Sequence, residues 1–184
     1  MFIQVLPPEE SLKSVYILAD IRYSYLLCQR HPDKVFIFGD NTQRIGTKGQ
    51  AIIRPCLNTY GIRTKVAPNK SKAAYFYDSS LVMFKMLLEQ DMKAIHKLRS
   101  SYDIVFHANG YGNGEARLHE TSPLCYQHLV SVLNTYCKGD YWCPRLHQSQ
   151  YLLTLMEQRS ASSTQNAQSD LLNESVSSFN DQLQ

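Results

Sequence analysis

The stretch KVFIFGDNTQRIGTKGQAIIR, residues 34 to 54, decides how the chain is read. Its first five residues are dominated by β-branched and aromatic side chains, the pattern of a strand buried on both faces. Gly39, Asp40 and Asn41 are expected to end that strand, and a polar loop carrying Gly46 and Gly49 follows. Gln50 to Arg54 reads as the first turns of a helix, halted by Pro55. A second stretch, DIVFHANGYGNGEARL at 103 to 118, repeats the design: a short apolar strand running into a loop with Gly110, Gly112 and Gly114.

Working outward, Phe2 to Leu6 reads as a short strand or lead-in before Pro7 and Pro8, and Ile62 to Val66 as another strand. Three- and four-residue apolar spacing predicts helices over Glu9 to Gln29, Ser79 to Arg99 and Leu124 to Tyr136. Strands separated by helices imply an α/β fold with a parallel or mixed sheet covered by helices. Residues 1–156 are expected to form this single domain. Residues 157–184, rich in Ser, Gln and Asn, are expected to be a disordered tail, because they cannot bury enough apolar surface to offset the entropy of ordering.

Composition narrows the function classes. No apolar run is long enough to span a bilayer, and the N-terminus has no basic segment followed by an apolar one, so neither membrane insertion nor secretion is expected. The five scattered cysteines suit a reducing compartment, and the expected location is cytoplasmic. Net charge is +3, but Glu157, Asp170, Glu174 and Asp181 outweigh Arg159 in the tail, so the positive surplus falls on the domain. That surplus suits an anionic partner. It lacks the clustered basic stripe of a sequence-specific nucleic-acid binder.

The chemistry sits in the loops. In open α/β sheets ligands bind beyond the carboxyl ends of the strands, and both glycine loops follow apolar strands. Gly46 and Gly49 would let backbone N–H groups approach a phosphate, with the helix start near Gln50 and Ala51 presenting its positive end. Gly110, Gly112, Asn113 and Gly114 would form a second nest of amides. Neither loop is a phosphate-loop or dinucleotide fingerprint, which argues against a nucleotide kinase and a simple dehydrogenase. No cofactor is expected.

VFIFGDNTQRIGTKGQAIIR, NTYGIRTKVAP and IVFHANGYGNGEARLHETSP form an ordered trio. The trio resembles an uncharacterised phage and bacterial family with an FGDN-x-x-R-x-G-x-G-G-Q-A pattern. In layout it is similar to macrodomains, three-layer α/β/α proteins with a mixed sheet that bind ADP-ribose. The resemblance implies that Asp40 and Asn41 address the adenine or its ribose. Gly46, Gly49, Gln50 and Ala51 would line the first loop, and Gly110, Gly112, Asn113 and Gly114 would hold the diphosphate or distal ribose. Lys65, in GIRTK, would be the nucleophile or the electrostatic clamp, by resemblance to the branch that removes ADP-ribose from acidic side chains. Two departures stand out: Lys48 replaces a glycine of the phage pattern, and Ala116 aligns with that branch's acid, leaving Glu115 displaced by one.

Three readings follow. The chain binds ADP-ribose or a related nucleotide as a reader or sponge, or it is an ADP-ribosyl hydrolase using Lys65 and Glu115. In the third it is a phage-type interaction module or inhibitor whose partner is a host protein. His107 is expected to be structural. Arg44, Arg54 and Arg63 are expected at the surface, solvated or salt-bridged, and the Tyr75–Tyr77 and Tyr141–Trp142 clusters in packing. Cys125, Cys137 and Cys143 lack a C-x2-C pair, so no metal site is expected.

Overall fold

In the computed structural model residues 1–138 are described, and they lie within a compact unit spanning Met1–Pro144. The tail expected from residue 157 lies outside the described residues, as do Tyr141, Trp142, Cys143 and His147. Five strands, β1 (Phe2–Leu6), β2 (Val15–Leu18), β3 (Lys34–Asn41), β4 (Thr59–Lys65) and β5 (Asp103–His107), form one sheet in the order β1-β2-β5-β3-β4. Only the β1–β2 pairing is antiparallel, so the fold is α/β with a mixed sheet. Four α-helices accompany it among the described residues: α1 (Tyr25–Arg30), α2 (Leu81–Leu98), α3 (Leu118–Thr121) and α4 (Pro123–Cys137). Among the described residues no helix is long and apolar enough to cross a membrane.

The strands of the two decisive stretches form as expected, and so do α2 and α4. The long helix expected over Glu9 to Gln29 does not form. Val15–Leu18 is instead a strand, hydrogen-bonded between β1 and β5 and almost wholly buried. Its Val-Tyr-Ile-Leu run satisfies helical and strand spacing alike, and in so short a run the neighbouring strands decide. Asp20 (φ 61°) then turns the backbone left-handed, and Ser24 caps the short α1 by accepting from the Leu27 N–H at 3.2 Å.

Two smaller corrections matter for function. Gly39, Asp40 and Asn41 do not end β3 but continue it, paired with β4. The helix expected from Gln50 is a 3-10 helix of five residues, Gly49–Ile53. It has too few aligned peptide dipoles to present the positive end expected near Gln50 and Ala51.

Layering follows from alternation along the strands. On one face Phe36, Phe38 and Val105 pack with Cys28 of α1 and with Ala51 and Ile53 of the 3-10 helix. On the other, Phe106 meets Tyr136 of α4 with ring centroids 5.8 Å apart, and α2 covers β4 through its buried Phe84, Leu88, Asp91 and Ile95. The connection leaving β3 therefore runs to one face while the one leaving β5 runs to the other. Neighbouring parallel strands whose connections part in this way open a crevice at their carboxyl ends.

Gly61 sets a tight constraint on the sheet. A Cβ there would lie 2.3 Å from Asp40 Oδ2. Gly61→Ala is expected to cost about 1–3 kcal/mol, as overpacking of a filled interior does. A lowered midpoint of urea unfolding with unchanged slope would show it, and an unchanged midpoint would mean that Asp40 moves freely.

Candidate functional site

The parting connections leave a cavity of about 650 Å³ beyond β3, β4 and β5. A volume in this range accepts a nucleotide-sized ligand. Asp40, Asn41, Gly46, Gly49, Gln50, Ala51, Lys65, Gly110, Gly112, Asn113, Gly114 and Glu115 all line it. The residues singled out from three separate stretches of sequence thus share one crevice.

Lys65 reaches it through an irregularity in β4. Asp40 pairs with Arg63, but the next residue of β3, Asn41, pairs with Lys65, so Thr64 is an extra residue. A bulge of this kind re-aims the side chain that follows. Arg63 turns to Asp91 of α2, whereas Lys65 lines the cavity. Lys65 is only 7% exposed, and its Nζ lies 4.4 Å from the centre of the Tyr75 ring. Among the described residues it forms no ion pair. A buried ammonium facing only an aromatic ring is costly unless an anion joins it.

The walls offer donors as well. The backbone N–H groups of Gly46, Thr47 and Lys48, and those from Gly112 to Ala116, donate to no described residue. Gly112 is buried and Ala116 half-buried, whereas Gly46, Thr47, Lys48, Asn113, Gly114 and Glu115 are exposed, so most of these amides face solvent along the cavity, where an anion can replace water. Gly112 must be glycine: its φ is 82°, and a Cβ would meet Leu118 at 3.1 Å. Gly114 differs, because a Cβ there meets nothing within 4 Å.

Several site residues act as struts. The Gln50 side chain accepts from Gly39 N at 2.9 Å and donates to Gly110 O at 3.0 Å, tying the two glycine loops together. Asn41 donates through Nδ2 to Ile45 O at 2.8 Å and accepts from Gln43 N at 3.2 Å, which shapes the first loop. The Asp40 carboxylate accepts from Arg44 at 3.0 Å and from Arg54 through both of its oxygens. Arg54 also donates to Gly46 O at 2.7 Å, so Asp40 governs the first loop through Arg54. Asn113 donates to Asn109 O at 2.7 Å within the second loop. Glu115 is exposed on the rim and forms no ion pair with Lys65.

Tyr111 and Asp91 were not singled out from the sequence. The Tyr111 hydroxyl accepts from His107 N at 2.8 Å and donates to Ile37 O at 3.1 Å, which fixes the second loop to β3. A lone aromatic among three glycines was its signal. Asp91 is fully buried beneath Arg44 and Arg63. Its signal was a carboxylate on the apolar stripe of α2, between Leu88 and Ile95.

His107 Nδ1 accepts from Asn109 N at 3.1 Å, and burial pushes the imidazole below its usual pKa. A histidine whose folded pKa lies below its unfolded value stabilises the fold above the unfolded value, near 6.5, and loses that contribution as pH falls towards the folded one. Unfolding free energy is therefore expected to drop from pH 7.5 to pH 5.5, and to drop less in His107→Gln. An equal loss of unfolding free energy in the parent and in His107→Gln, read from urea midpoints at the two pH values, would refute this.

A family of unknown function, DUF7831, matches residues 19–132, which take in both glycine loops and Lys65. No curated protein and no solved structure matches the chain.

Proposed function

We propose that this chain, which belongs to DUF7831, a family of unknown function, binds a phosphorylated nucleotide in the crevice between its two glycine loops. ADP-ribose or a close relative is the ligand of this reading, held in the manner of a macrodomain, and the protein acts as a reader or sponge. The observation that carries it is Lys65, a buried ammonium without an ion pair among the described residues, lining a cavity whose walls carry open amides. An anion with several acceptor oxygens answers both features at once. Hydrolysis is the second reading, favoured by the Lys65 amine, which forms no ion pair among the described residues. It is weakened by Glu115, which stays on the rim rather than beside the amine. In the phage setting suggested by the sequence pattern, the signal bound would be one made during infection.

Calorimetric titration with ADP-ribose, against AMP, NAD and a cyclic dinucleotide, tests the proposal. Saturable binding of one of them is expected. Gly114→Phe projects a ring from a position with open space around it, and should weaken that binding about tenfold without unfolding the domain. No heat with any of the four would leave the loops as turns and favour a protein-binding module. Gly112 is a poorer site for this test, because a side chain there strains the backbone and strikes Leu118.

A further inference from the structure

Away from the crevice, two cysteines from separate elements pack into one cluster. Cys28 is the buried residue of α1, and Cys56 follows the 3-10 helix that supplies Gln50 and Ala51 to the crevice. Both belong to the packing around Phe36 and Phe38, with Cys28 buried and Cys56 partly exposed, and both are free thiols. Their backbones are held in place. Asn58 Nδ2 donates to the carbonyls of Cys28 at 3.1 Å, His31 at 3.0 Å and Lys34 at 2.9 Å, clamping the segment after Cys56 to the end of α1. Cys56 itself donates to Ile53 O at 2.9 Å, and its carbonyl accepts from Thr59 Oγ1 at 3.0 Å.

We propose that Cys28 and Cys56 form a peroxide-responsive dithiol, a modification site that closes into a disulfide between α1 and the segment behind the first glycine loop. Both side chains pack in the cluster around Phe36 and Phe38, and burial together with the neighbouring Cys56 sulfur pushes the Cys28 thiol up to about 12. Cys28 is thus a poor first target, and the partly exposed Cys56 is oxidised first. The Cys56 sulfur attacks one peroxide oxygen, the O–O bond breaks, and the thiol proton leaves with the departing hydroxide as water, giving a sulfenic acid. The Cys28 sulfur then attacks the Cys56 sulfur. The S–S bond forms, the S–OH bond breaks, and hydroxide leaves with the Cys28 proton as a second water. Two thiols lose two electrons, and one peroxide gains them. Placement of both cysteines in one packed cluster compensates for the low thiolate fraction at Cys28.

The test uses the full chain exposed to hydrogen peroxide, then denatured, alkylated, digested and read by mass spectrometry. A peptide pair joining Cys28 to Cys56, released by dithiothreitol, is expected as the main cross-link. Melting temperature should rise by about 5 °C or more, because the bond closes a loop in the unfolded chain. Cys56→Ser should abolish both effects and leave Cys28 fully alkylated. Over-oxidation of Cys56 with Cys28 still alkylated would overturn the proposal, and so would a dominant cross-link from Cys56 to Cys143. Ligand titration does not enter the test, so the dithiol stands or falls apart from the nucleotide reading.

Discussion

Asp91→Ala is expected to lower the unfolding free energy by about 3–5 kcal/mol, the cost of removing one partner from a buried ionic cluster. The carboxylate is wholly buried in the middle of α2. It accepts from Arg44 at 2.7 Å, from Arg63 Nε at 3.0 Å, from the Arg63 backbone at 2.9 Å and from the Tyr60 hydroxyl at 3.2 Å. Arg44 turns its other nitrogen to Asp40, so one guanidinium joins the two buried acids. Two carboxylates thus hold three arginines, and removing Asp91 leaves the partly buried Arg63 with no acid among the described residues and Arg44 sharing Asp40 with Arg54. It also leaves the Arg63 N–H at the edge of β4 without its acceptor. In urea, a loss of this size moves the midpoint down by about 2 M. Asp91→Asn keeps the shape and some acceptors, and should fall between the two. If Asp91→Ala costs no more than a surface ion pair, under about 1 kcal/mol, water must satisfy the arginines and the cluster does not brace the sheet.

That cluster marks a boundary of what the sequence reveals. The apolar strands at 34–38 and 103–107 were legible because a strand buried on both faces has few other readings. The two glycine loops were legible because positive backbone angles in a polar stretch call for glycine. From those features and the resemblance, every proposed site residue could be brought to one crevice. Three things were hidden. Val15–Leu18 fits a helix or a strand, and only β1 and β5 on either side decide between them. Arg44, Arg54 and Arg63 were expected at the surface, solvated or salt-bridged, but they converge on Asp40 and Asp91, which are far apart in sequence, and Asp40 was read as a ligand contact. The bulge at Thr64 has no mark in GIRTK, yet it turns Lys65 into the cavity while Arg63 meets α2. Register is a property of the strand pair, so one strand's residues do not disclose it.

Lys65→Met is expected to separate binding from folding more cleanly than any other change. Methionine fills much of the same volume and packs well against Tyr75, while the charge goes. With no ion pair among the described residues to lose, the unliganded protein should melt at the same temperature or higher, since a buried ammonium is costly to hold. Affinity for the nucleotide that binds the parent protein should fall about 10- to 100-fold, the loss of a charge-assisted contact to phosphate. The two shifts run in opposite directions, and a merely structural lysine cannot produce that pair. Lys65→Arg refines the result. It keeps the charge and the phosphate contact, so binding should largely survive, but a guanidinium stays protonated and cannot serve as a nucleophile. If the parent protein releases ADP-ribose from a modified protein and Lys65→Arg binds without release, the amine is the reacting group. If binding survives in both variants at parental strength, Lys65 does not meet the phosphate, and the open amides of the two loops must hold the ligand alone.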